Sequence, residues 1–476
     1  MSLPRLIVAS VMAASATNSP ASAKSEPVVT IETGKLVGDS EAGVDSWKGI
    51  PFVAAPIGKL RWRKPQPAAK WRGTRSATAY AHDCMQFPFP SDAAPLGTPP
   101  GEDCLYANVW KPSTATTKLP VILWIYGGGF VNGGASSSTY SGAQLAKQGA
   151  VFISFNYRVG RFGTFAHPLL SKVDADHGAL GNYGFMDQIA ALHWVQRNAA
   201  QFGGDPANVT LIGESAGGMS VHTLLTSPQA KGLFAKAVIM SGGDGNLLGS
   251  GGLKEAEVVG TEFARSQGIE ANDPRGLEEL RALSAQAVTG KLNMAALFAN
   301  GPRTFSSPFV DGVIAVDTNA AYQSGNFGKV PVMIGATSAD MAGKTGYMIA
   351  GARREAARIA AQGVPVYAYR FSYVAESLDK AGAGHATDVP FFLDTQAAKY
   401  GAHTTQTDNV MGQTISAYVM NFARSGNPNG DGLPQWSQYD PSKDQIIDFS
   451  RTGHAVLQKD PWGAEIDAAQ PTATKH

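Results

Sequence analysis

The sequence predicts an α/β fold with a mostly parallel central sheet and helices on both faces. Short β-branched and apolar runs alternate along the chain with segments of helical periodicity, as they do in proteins built from βαβ units. Several of these runs are apolar throughout, which is typical of strands buried on both faces. A third observation is a Gly-x-Ser-x-Gly sequence around Ser215, directly between an apolar run and a helical segment.

The predicted elements follow one another in a simple order. Strands are predicted at Leu119 to Tyr126, Ala150 to Tyr157, Val209 to Ile212, Ala235 to Met240, Val330 to Ala336 and Val364 to Tyr373. Helices are predicted at Tyr183 to Phe202, Met219 to Leu225 and Thr405 to Arg424. In the last helix, Val410, Ile415, Val419 and Phe422 recur on one side. Residues 253–329 have a mainly helical pattern and are expected to form an insertion between sheet strands.

Length and composition indicate a soluble globular protein. The 476 residues would suggest about three domains at roughly 150 residues each. The candidate catalytic elements extend from Tyr126 to His385, however, so a single domain over residues 24–476 is predicted. Hydrophobic residues make up 43% of the chain and charged residues 16%, which is ordinary for a globular core. A formal charge of +1 offers no basic surface for nucleic acid.

The N-terminus has the pattern of a signal peptide, predicted over residues 1–23. Arg5 precedes a mainly apolar run from Leu6 to Ala14, and Ala21 to Ala23 offers a small-residue cleavage site. The apolar run is too short to span a bilayer, and no other segment is long and apolar enough to do so. The alternative is a disordered leader rich in alanine and serine. A secreted or periplasmic protein is therefore expected.

The chain contains two cysteines, Cys84 and Cys104, which are 20 residues apart. In an exported chain, two nearby cysteines favour a disulfide that closes a surface loop. Two reduced, buried thiols are the alternative.

The sequence around Ser215 has the features of a nucleophile elbow, a sharp strand-to-helix turn with a serine at its apex. Gly213 and Gly217 flank the apex, where side chains would collide with the strand or the helix. The helix N-terminus would then direct free N–H groups at the reacting centre. The pentapeptide is common by chance, and it is the strand before it and the helix after it that favour a catalytic serine.

The longer run from Phe202 to Gly217 resembles the serine signature of the type-B carboxylesterase and cholinesterase family of α/β-hydrolases. Glu102 to Trp110 resembles a second signature of that family, with Ala107 in place of the usual larger aliphatic residue. The resemblance covers nearly the whole mature chain. It implies the α/β-hydrolase fold with a helical insertion and the activity of a serine carboxylesterase that needs no cofactor. It also implies the Cys84–Cys104 disulfide.

In α/β-hydrolases the catalytic serine is followed along the chain by the acid and then by the histidine. The histidines beyond the late strands are His385, His403, His454 and His476. His385 lies in a flexible, small-residue segment after the strand predicted at Val364 to Tyr373, and its context matches that of the family's histidine. The other three are expected to be solvated, and His193 and His222 to be packing or surface residues. His385 is therefore the predicted base.

Asp340 is the predicted acid of the triad. It is the only carboxylate at the end of the strand predicted at Val330 to Ala336, where the family places its acid. The family usually has Asp-Glu-Gly, whereas this chain has Ala339-Asp340-Met341. Aspartate can orient the imidazole and stabilise the imidazolium, but its shorter side chain requires a closer backbone. The alternative is that Asp340 caps the N-terminus of a helix.

A glycine-rich turn follows the strand at Leu119 to Ile125 and supplies the candidate oxyanion hole. Such a hole needs N–H groups from the residue after the nucleophile and from a turn after an early strand. By resemblance, Gly128 and Gly129 donate together with Ala216. A tight loop without catalytic function is the alternative.

Other functional motifs fit poorly. The segment Ser338 to Thr345 superficially suggests a phosphate-binding loop, but serine stands where its first glycine is required. No sequence pattern of metal ligands is found. The predicted partner is a small-molecule ester, with no nucleic acid and no membrane span. An inactive cholinesterase-like binding module and another acyl chemistry, amide hydrolysis or acyl transfer, remain as alternatives.

The predicted substrate pocket is more open than is usual in the family. Asp340 and His385 are 45 residues apart, and the part missing from this segment normally helps to wall the substrate gorge. Residues 253–329 could replace that wall by folding over the site. A quaternary-ammonium ester is an improbable substrate, because no tryptophan lies between Cys84 and Cys104 to face such a cation.

Overall fold

The computed structural model describes residues 26–90, 92, 94–114, 118–246, 251–299 and 303–469, so the predicted signal peptide lies outside the described residues. The strands are β1 (Val28–Ile31), β2 (Gly34–Val37), β3 (Asp39–Glu41), β4 (Val44–Pro51), β5 (Thr74–Ser76), β6 (Asp83–Cys84), β7 (Pro100–Gly101), β8 (Tyr106–Pro112), β9 (Leu119–Ile125), β10 (Val151–Phe155), β11 (Thr164–Phe165), β12 (Gly181–Asn182), β13 (Gly204–Glu214), β14 (Lys236–Met240), β15 (Val332–Thr337), β16 (Val366–Phe371), β17 (Gln445–Phe449) and β18 (Ala455–Lys459). The α-helices are α1 (Ala143–Lys147), α2 (Gly160–Gly163), α3 (Pro168–Val173), α4 (Tyr183–Asn198), α5 (Ala216–Thr226), α6 (Leu253–Ser266), α7 (Gly276–Ala282), α8 (Ala285–Thr289), α9 (Thr318–Ser324), α10 (Ile349–Ala361), α11 (Val389–Phe392), α12 (Gln396–Tyr400), α13 (Gln406–Ser425) and α14 (Gly463–Ala469).

Eleven strands form one large sheet in the order β18-β17-β16-β15-β14-β13-β9-β10-β8-β4-β3. Neighbouring strands from β17 to β10 run parallel, and β18, β8, β4 and β3 add antiparallel pairs at the two edges. Every residue of β10, β14, β15 and β16 is buried, as expected for parallel strands covered on both faces. Helices α4, α5, α10 and α13 pack against the parallel strands β9, β13, β14, β15 and β16. The predicted α/β fold with a mostly parallel sheet is confirmed.

The predicted helices and strands are present with shifted ends. The elbow strand β13 begins five residues before the predicted Val209, at Gly204. In α13, Ile415, Val419 and Phe422 are buried as predicted, but Val410 is 45% exposed, so its placement on the same side was wrong. Val410 precedes Ile415 by five residues, which rotates it by about 140° around a helix with 3.6 residues per turn.

Residues 253–329 form an insertion between β14 and β15. In its described part it contains α6 to α9 and the 3₁₀ helix Met294–Phe298, and it contributes no strand. The described residues contain no helix with the length and apolarity needed to cross a membrane.

The Glu102 to Trp110 segment has a structural role. Glu102 accepts hydrogen bonds from Nε and Nη2 of Arg61, both at 2.6 Å, and Cys104 forms the predicted disulfide with Cys84. Asn108 accepts the backbone N–H of Gly49 at 3.0 Å. These contacts hold β4, Arg61 and Cys84 against β8 and the segment just before it, and β8 pairs with β4 and β10 in the large sheet.

Candidate active site

Ser215 stands at a sharp turn between the end of β13 and the start of α5. Its backbone has φ 55° and ψ −122°, a conformation that costs free energy for any residue with a side chain. A Cβ atom on Gly213 would collide with the carbonyl oxygen of Gly217, and one on Gly217 would collide with that of Ile125. The Ser215 N–H donates to the carbonyl of Met240 at 2.9 Å. The turn therefore has the geometry of the predicted nucleophile elbow.

His385 connects Ser215 to Asp340. His385 Nε2 lies 2.8 Å from Ser215 Oγ, and Nδ1 lies 2.7 Å from Asp340 Oδ1. A carboxylate only accepts hydrogen bonds, so the proton belongs on Nδ1, and Nε2 is free to accept the serine proton. The Ser215 residue is 6% exposed and the His385 side chain 21%. The structure thus brings the three predicted side chains together, while His403 and His454 lie exposed.

The Asp340 carboxylate is buried among hydrogen-bond donors. Its Oδ2 accepts from Ser241 Oγ at 2.7 Å and from Thr337 Oγ1 at 2.9 Å, and Oδ1 accepts the Met341 N–H at 2.7 Å. Burial pushes the pKa of Asp340 upward, but the hydrogen bond from His385, its charge and the bond from Ser241 outweigh burial and lower the pKa below its usual value. Asp340 is therefore ionised. No described helix begins just after it, so the helix-cap interpretation was wrong.

The glycine turn after β9 lies directly against the elbow. A Cβ on Gly127 would be 2.9 Å from Ser215 Cβ, so only glycine allows this approach. Gly128 and Gly129 have φ values of 105° and 61°. In the part of the chain that the structure describes, their N–H groups and that of Ala216 have no hydrogen-bond acceptor. These three donors are free to bind an oxyanion.

Glu214 is a second buried acid beside His385, and the sequence did not predict its role. Its Oε1 lies 3.3 Å from His385 Nε2. Burial raises the pKa of Glu214 to about 8, opposed by the charge of His385. Burial lowers the pKa of His385, but the charge of Glu214 and the hydrogen bond to Asp340 outweigh burial and raise it to about 9. The sequence showed that a glutamate stands next to the catalytic serine. It did not show that the glutamate side chain points toward His385.

Asp388, three residues after His385, is a third buried acid that was not predicted from the sequence. Burial, followed by the charge of Asp340, raises the pKa of Asp388 to about 7. Its Oδ2 accepts from the Tyr369 hydroxyl at 3.3 Å, whereas Oδ1 has no partner among the described residues. These features leave Asp388 partly protonated near neutral pH.

The 3₁₀ helix Met294–Phe298 covers one side of the site. A Cβ on Gly129 would collide with Met294 Sδ and would lie 3.0 Å from Leu297 Cδ1. The Met294 N–H donates to Asn132 Oδ1 at 2.8 Å, which fixes the start of this helix against the glycine turn. Phe298, at its end, is 74% exposed. Part of the insertion has therefore folded over the site.

The chain is similar to several known esterases. The model of the carboxylesterase family matches residues 25–350 and 343–461. Fumonisin B1 esterase of Sphingopyxis macrogoltabida is 39% identical over 303 residues, which are 62% of this chain and 53%, about half, of that relative. Para-nitrobenzyl esterase of Bacillus subtilis (strain 168) is 32% identical over 88% of this chain and 94% of its own. A solved structure of PNB esterase superposes with a TM-score of 0.82, at 28% identity, over 94% of this chain and 100% of its own.

Proposed function

The chain belongs to the carboxylesterase family and is a carboxylic ester hydrolase with the α/β-hydrolase fold, and we propose that it acts through a Ser-His-Asp triad and an acyl-enzyme. The observation that carries this proposal is the unbroken series of hydrogen bonds from Ser215 Oγ through the two ring nitrogens of His385 to Asp340. A nucleophile, its base and the group that orients the base are thus in reach of one another.

In the first half of the reaction, Ser215 Oγ attacks the ester carbonyl carbon while its proton passes to His385 Nε2. Asp340 stabilises the imidazolium that forms. The carbonyl oxygen becomes an oxyanion and accepts hydrogen bonds from the N–H groups of Gly128, Gly129 and Ala216. His385 then gives its proton to the leaving alcohol oxygen, and Ser215 remains acylated.

In the second half, water replaces the alcohol. His385 Nε2 takes a proton from the water as its oxygen attacks the acyl carbon, and the same N–H groups bind the second oxyanion. When this intermediate collapses, Ser215 Oγ leaves and recovers the proton from His385, and the carboxylic acid is released. In this scheme His385 carries each transferred proton, and the backbone N–H groups supply the hydrogen bonds to each oxyanion.

Glu214 controls the protonation of His385. A pKa of about 8 keeps Glu214 protonated in most molecules near neutral pH, so its negative charge is largely absent. An ionised Glu214 would hold His385 as imidazolium, which cannot accept the proton of Ser215. Where Glu214 is protonated, its contribution to the raised pKa of His385 is missing, so the burial of Glu214 favours a neutral imidazole that can act as a base.

The substrate is a small-molecule ester whose two halves meet different surroundings. His385 protonates the alcohol oxygen, so the alcohol lies on the His385 side, where the imidazole is partly exposed. The acyl group then extends the other way, toward Met294 and Leu297. We expect broad tolerance of the alcohol and stricter selection of the acyl group. A relative named para-nitrobenzyl esterase supports an alcohol side that admits a bulky group, because para-nitrobenzyl is the alcohol part of such an ester.

A fluorophosphonate probe tests the proposed nucleophile, since it reacts covalently with activated serines. We expect labelling of the wild-type protein and of His403→Ala, and none of Ser215→Ala or His385→Ala. Esters, amides and an alcohol acceptor are offered to the same four proteins. Absence of labelling in the wild type would favour the inactive binding module, and turnover of amides or acyl transfer without ester hydrolysis would favour the other acyl chemistry.

We place the protein outside the cytoplasm, secreted or periplasmic. This part of the proposal is supported by the signal-peptide pattern of residues 1–23 and by the Cys84–Cys104 disulfide, since such bonds persist in oxidising compartments. N-terminal sequencing of the mature protein after cell fractionation tests it. We expect a first residue at Lys24, and an uncleaved chain in the cytosol would contradict this.

A further inference from the structure

The triad contains an aspartate where the family resemblance implies a glutamate, and the distance to the histidine is nevertheless short. One fewer methylene shortens the reach of the acid by about 1.5 Å. The distance of 2.7 Å from Asp340 Oδ1 to His385 Nδ1 is still that of a charge-assisted hydrogen bond. The two backbones that carry these side chains must therefore lie close together.

A contact between two loops, which we call the loop clamp, holds these backbones in place. It consists of Ser338 and Ala339 on one side and Gly382, Ala383 and Gly384 on the other. The Ala339 N–H donates to the Ala383 carbonyl at 2.8 Å, and the Ala383 N–H donates to Ser338 Oγ at 3.1 Å. Ala339 and Gly384 form an isolated parallel bridge. A Cβ on Gly382 would lie 3.0 Å from Ala339 Cβ, so the loops are in close contact.

The loop clamp lies immediately before both catalytic side chains. Ser338 precedes Asp340 by two residues, and Ala383 precedes His385 by two residues. Ala383 is 1% exposed, so its N–H group cannot turn to water if Ser338 Oγ is removed. A change in the spacing of the two loops would be passed directly to the Asp340–His385 hydrogen bond.

We propose that Ser338 is a positioning residue for ester hydrolysis, whose hydroxyl fixes Ala383 so that the short acid Asp340 reaches His385. This inference rests on the triad proposed above. The Ser338 hydroxyl is the only side-chain group in the two clamp hydrogen bonds, because the other bond joins backbone atoms. Ser338 does not touch the substrate and acts through the histidine loop.

Ser338→Ala is expected to lower kcat about tenfold, since it leaves a buried N–H group without an acceptor. KM should stay near the wild-type value, because the substituted side chain is not part of the substrate pocket. The acid limb of the kcat/KM pH profile should move to lower pH, since a weaker bond to Asp340 stabilises the imidazolium less. Ser338→Thr keeps a hydroxyl and should retain most of kcat.

Ser227→Ala is the matched control. Its hydroxyl also accepts a backbone N–H, that of Gln229 at 3.3 Å, but it lies at the far end of α5. The length of that helix places it roughly 18 Å from Ser215. Thermal unfolding of all variants separates loss of folding from loss of positioning. Ser227→Ala should leave kcat and the pH profile unchanged.

A double substitution provides the decisive comparison. Asp340→Glu should be poorly active, because the longer acid does not fit between clamped loops. Adding Ser338→Ala releases the loops, and the double variant should be more active than Asp340→Glu alone. The proposal would be overturned if the loss of activity in the double variant equalled the product of the losses in the two single variants. It would also be overturned if Ser338→Ala kept the wild-type kcat and pH profile.

Failure of this inference and failure of the proposed function give different results. Ester hydrolysis by Ser215→Ala would refute the triad itself. An inactive Ser215→Ala together with a fully active Ser338→Ala would leave the triad intact and remove only the positioning role of Ser338.

Discussion

Replacing Glu214 by glutamine should extend ester hydrolysis to lower pH. Glutamine keeps the size of the side chain but removes the negative charge 3.3 Å from His385 Nε2. At that distance and an effective dielectric constant of 20, a unit charge stabilises the imidazolium by about 5 kcal/mol, or nearly four pKa units. With its own pKa at about 8, however, Glu214 is ionised in only about one molecule in ten at pH 7. We therefore expect the acid limb to move to lower pH by much less than the nearly four units that a permanent charge would give.

The assay is the dependence of kcat/KM on pH from 5 to 10 with a para-nitrobenzyl ester, because this profile reports ionisations of the free enzyme. The sign follows from the chemistry. A charge that raises the pKa of His385 keeps the base protonated, so its removal restores the free imidazole at lower pH. Glu355→Gln is the control, since Glu355 is also buried with its pKa raised to about 7 but pairs with Arg354 and Arg358 on α10. An acid limb that stays in place or moves upward in Glu214→Gln would refute the reasoning.

Three further predictions test the site and its surroundings. Ser215→Ala and His385→Ala should each lower kcat by about a millionfold in an ester assay, with the fold intact by circular dichroism, since triad members act as a unit. Replacing Cys84 and Cys104 together by alanine should lower the free energy of unfolding in urea by about 3 kcal/mol and leave kcat unchanged; two freely alkylated thiols in the native protein would contradict the bridge. Met294→Ala should raise kcat/KM for a branched acyl ester relative to an acetate ester by about tenfold, and an unchanged ratio would exclude Met294 from the acyl side.

The elbow could be predicted from the sequence because its constraints are local. Gly213 and Gly217 lie two residues from Ser215, and the collisions that exclude larger side chains involve the same turn and the neighbouring strand. The oxyanion turn is local in the same way. Its glycines follow β9 directly, and parallel strands place their C-terminal ends at one edge of the sheet. Local patterns of this kind carry most of the information about the nucleophile and its oxyanion donors.

The antiparallel edge of the sheet was harder to predict, since its strands lack a clear apolar pattern. In β4, Asp45 is buried although it is charged, because it accepts hydrogen bonds from Ser40 and Ser113 at 2.8 and 2.6 Å. Ser113 is 68 residues away in sequence. Hydrophobic periodicity does not detect a strand with a buried polar side chain whose hydrogen-bond partner is so distant in the chain.

The surroundings of the triad depend on contacts between distant segments. Ser241 donates to Asp340 across 99 residues of sequence, and nothing in its local sequence distinguishes it from an ordinary serine. The sequence places Glu214 next to Ser215, but it does not say whether the Glu214 side chain points into solvent or toward His385. Only the fold determines that direction, and with it the pKa values that set the pH range of the reaction.

Two features of the site bear on the shape of the substrate pocket that we propose. The His385 imidazole is 21% exposed, and the proposed mechanism places the departing alcohol on that side. On the other side, the insertion closes the site, because Met294 lies against Gly129 and Gly129 cannot carry a side chain there. The short spacing between Asp340 and His385 alone would suggest that large groups are tolerated in both halves of the ester. That would require both the alcohol side and the acyl side to be open. Enlarging the alcohol should therefore cost little kcat/KM, whereas enlarging the acyl group should cost more. Equal losses for both halves would show that another part of the chain walls the alcohol side.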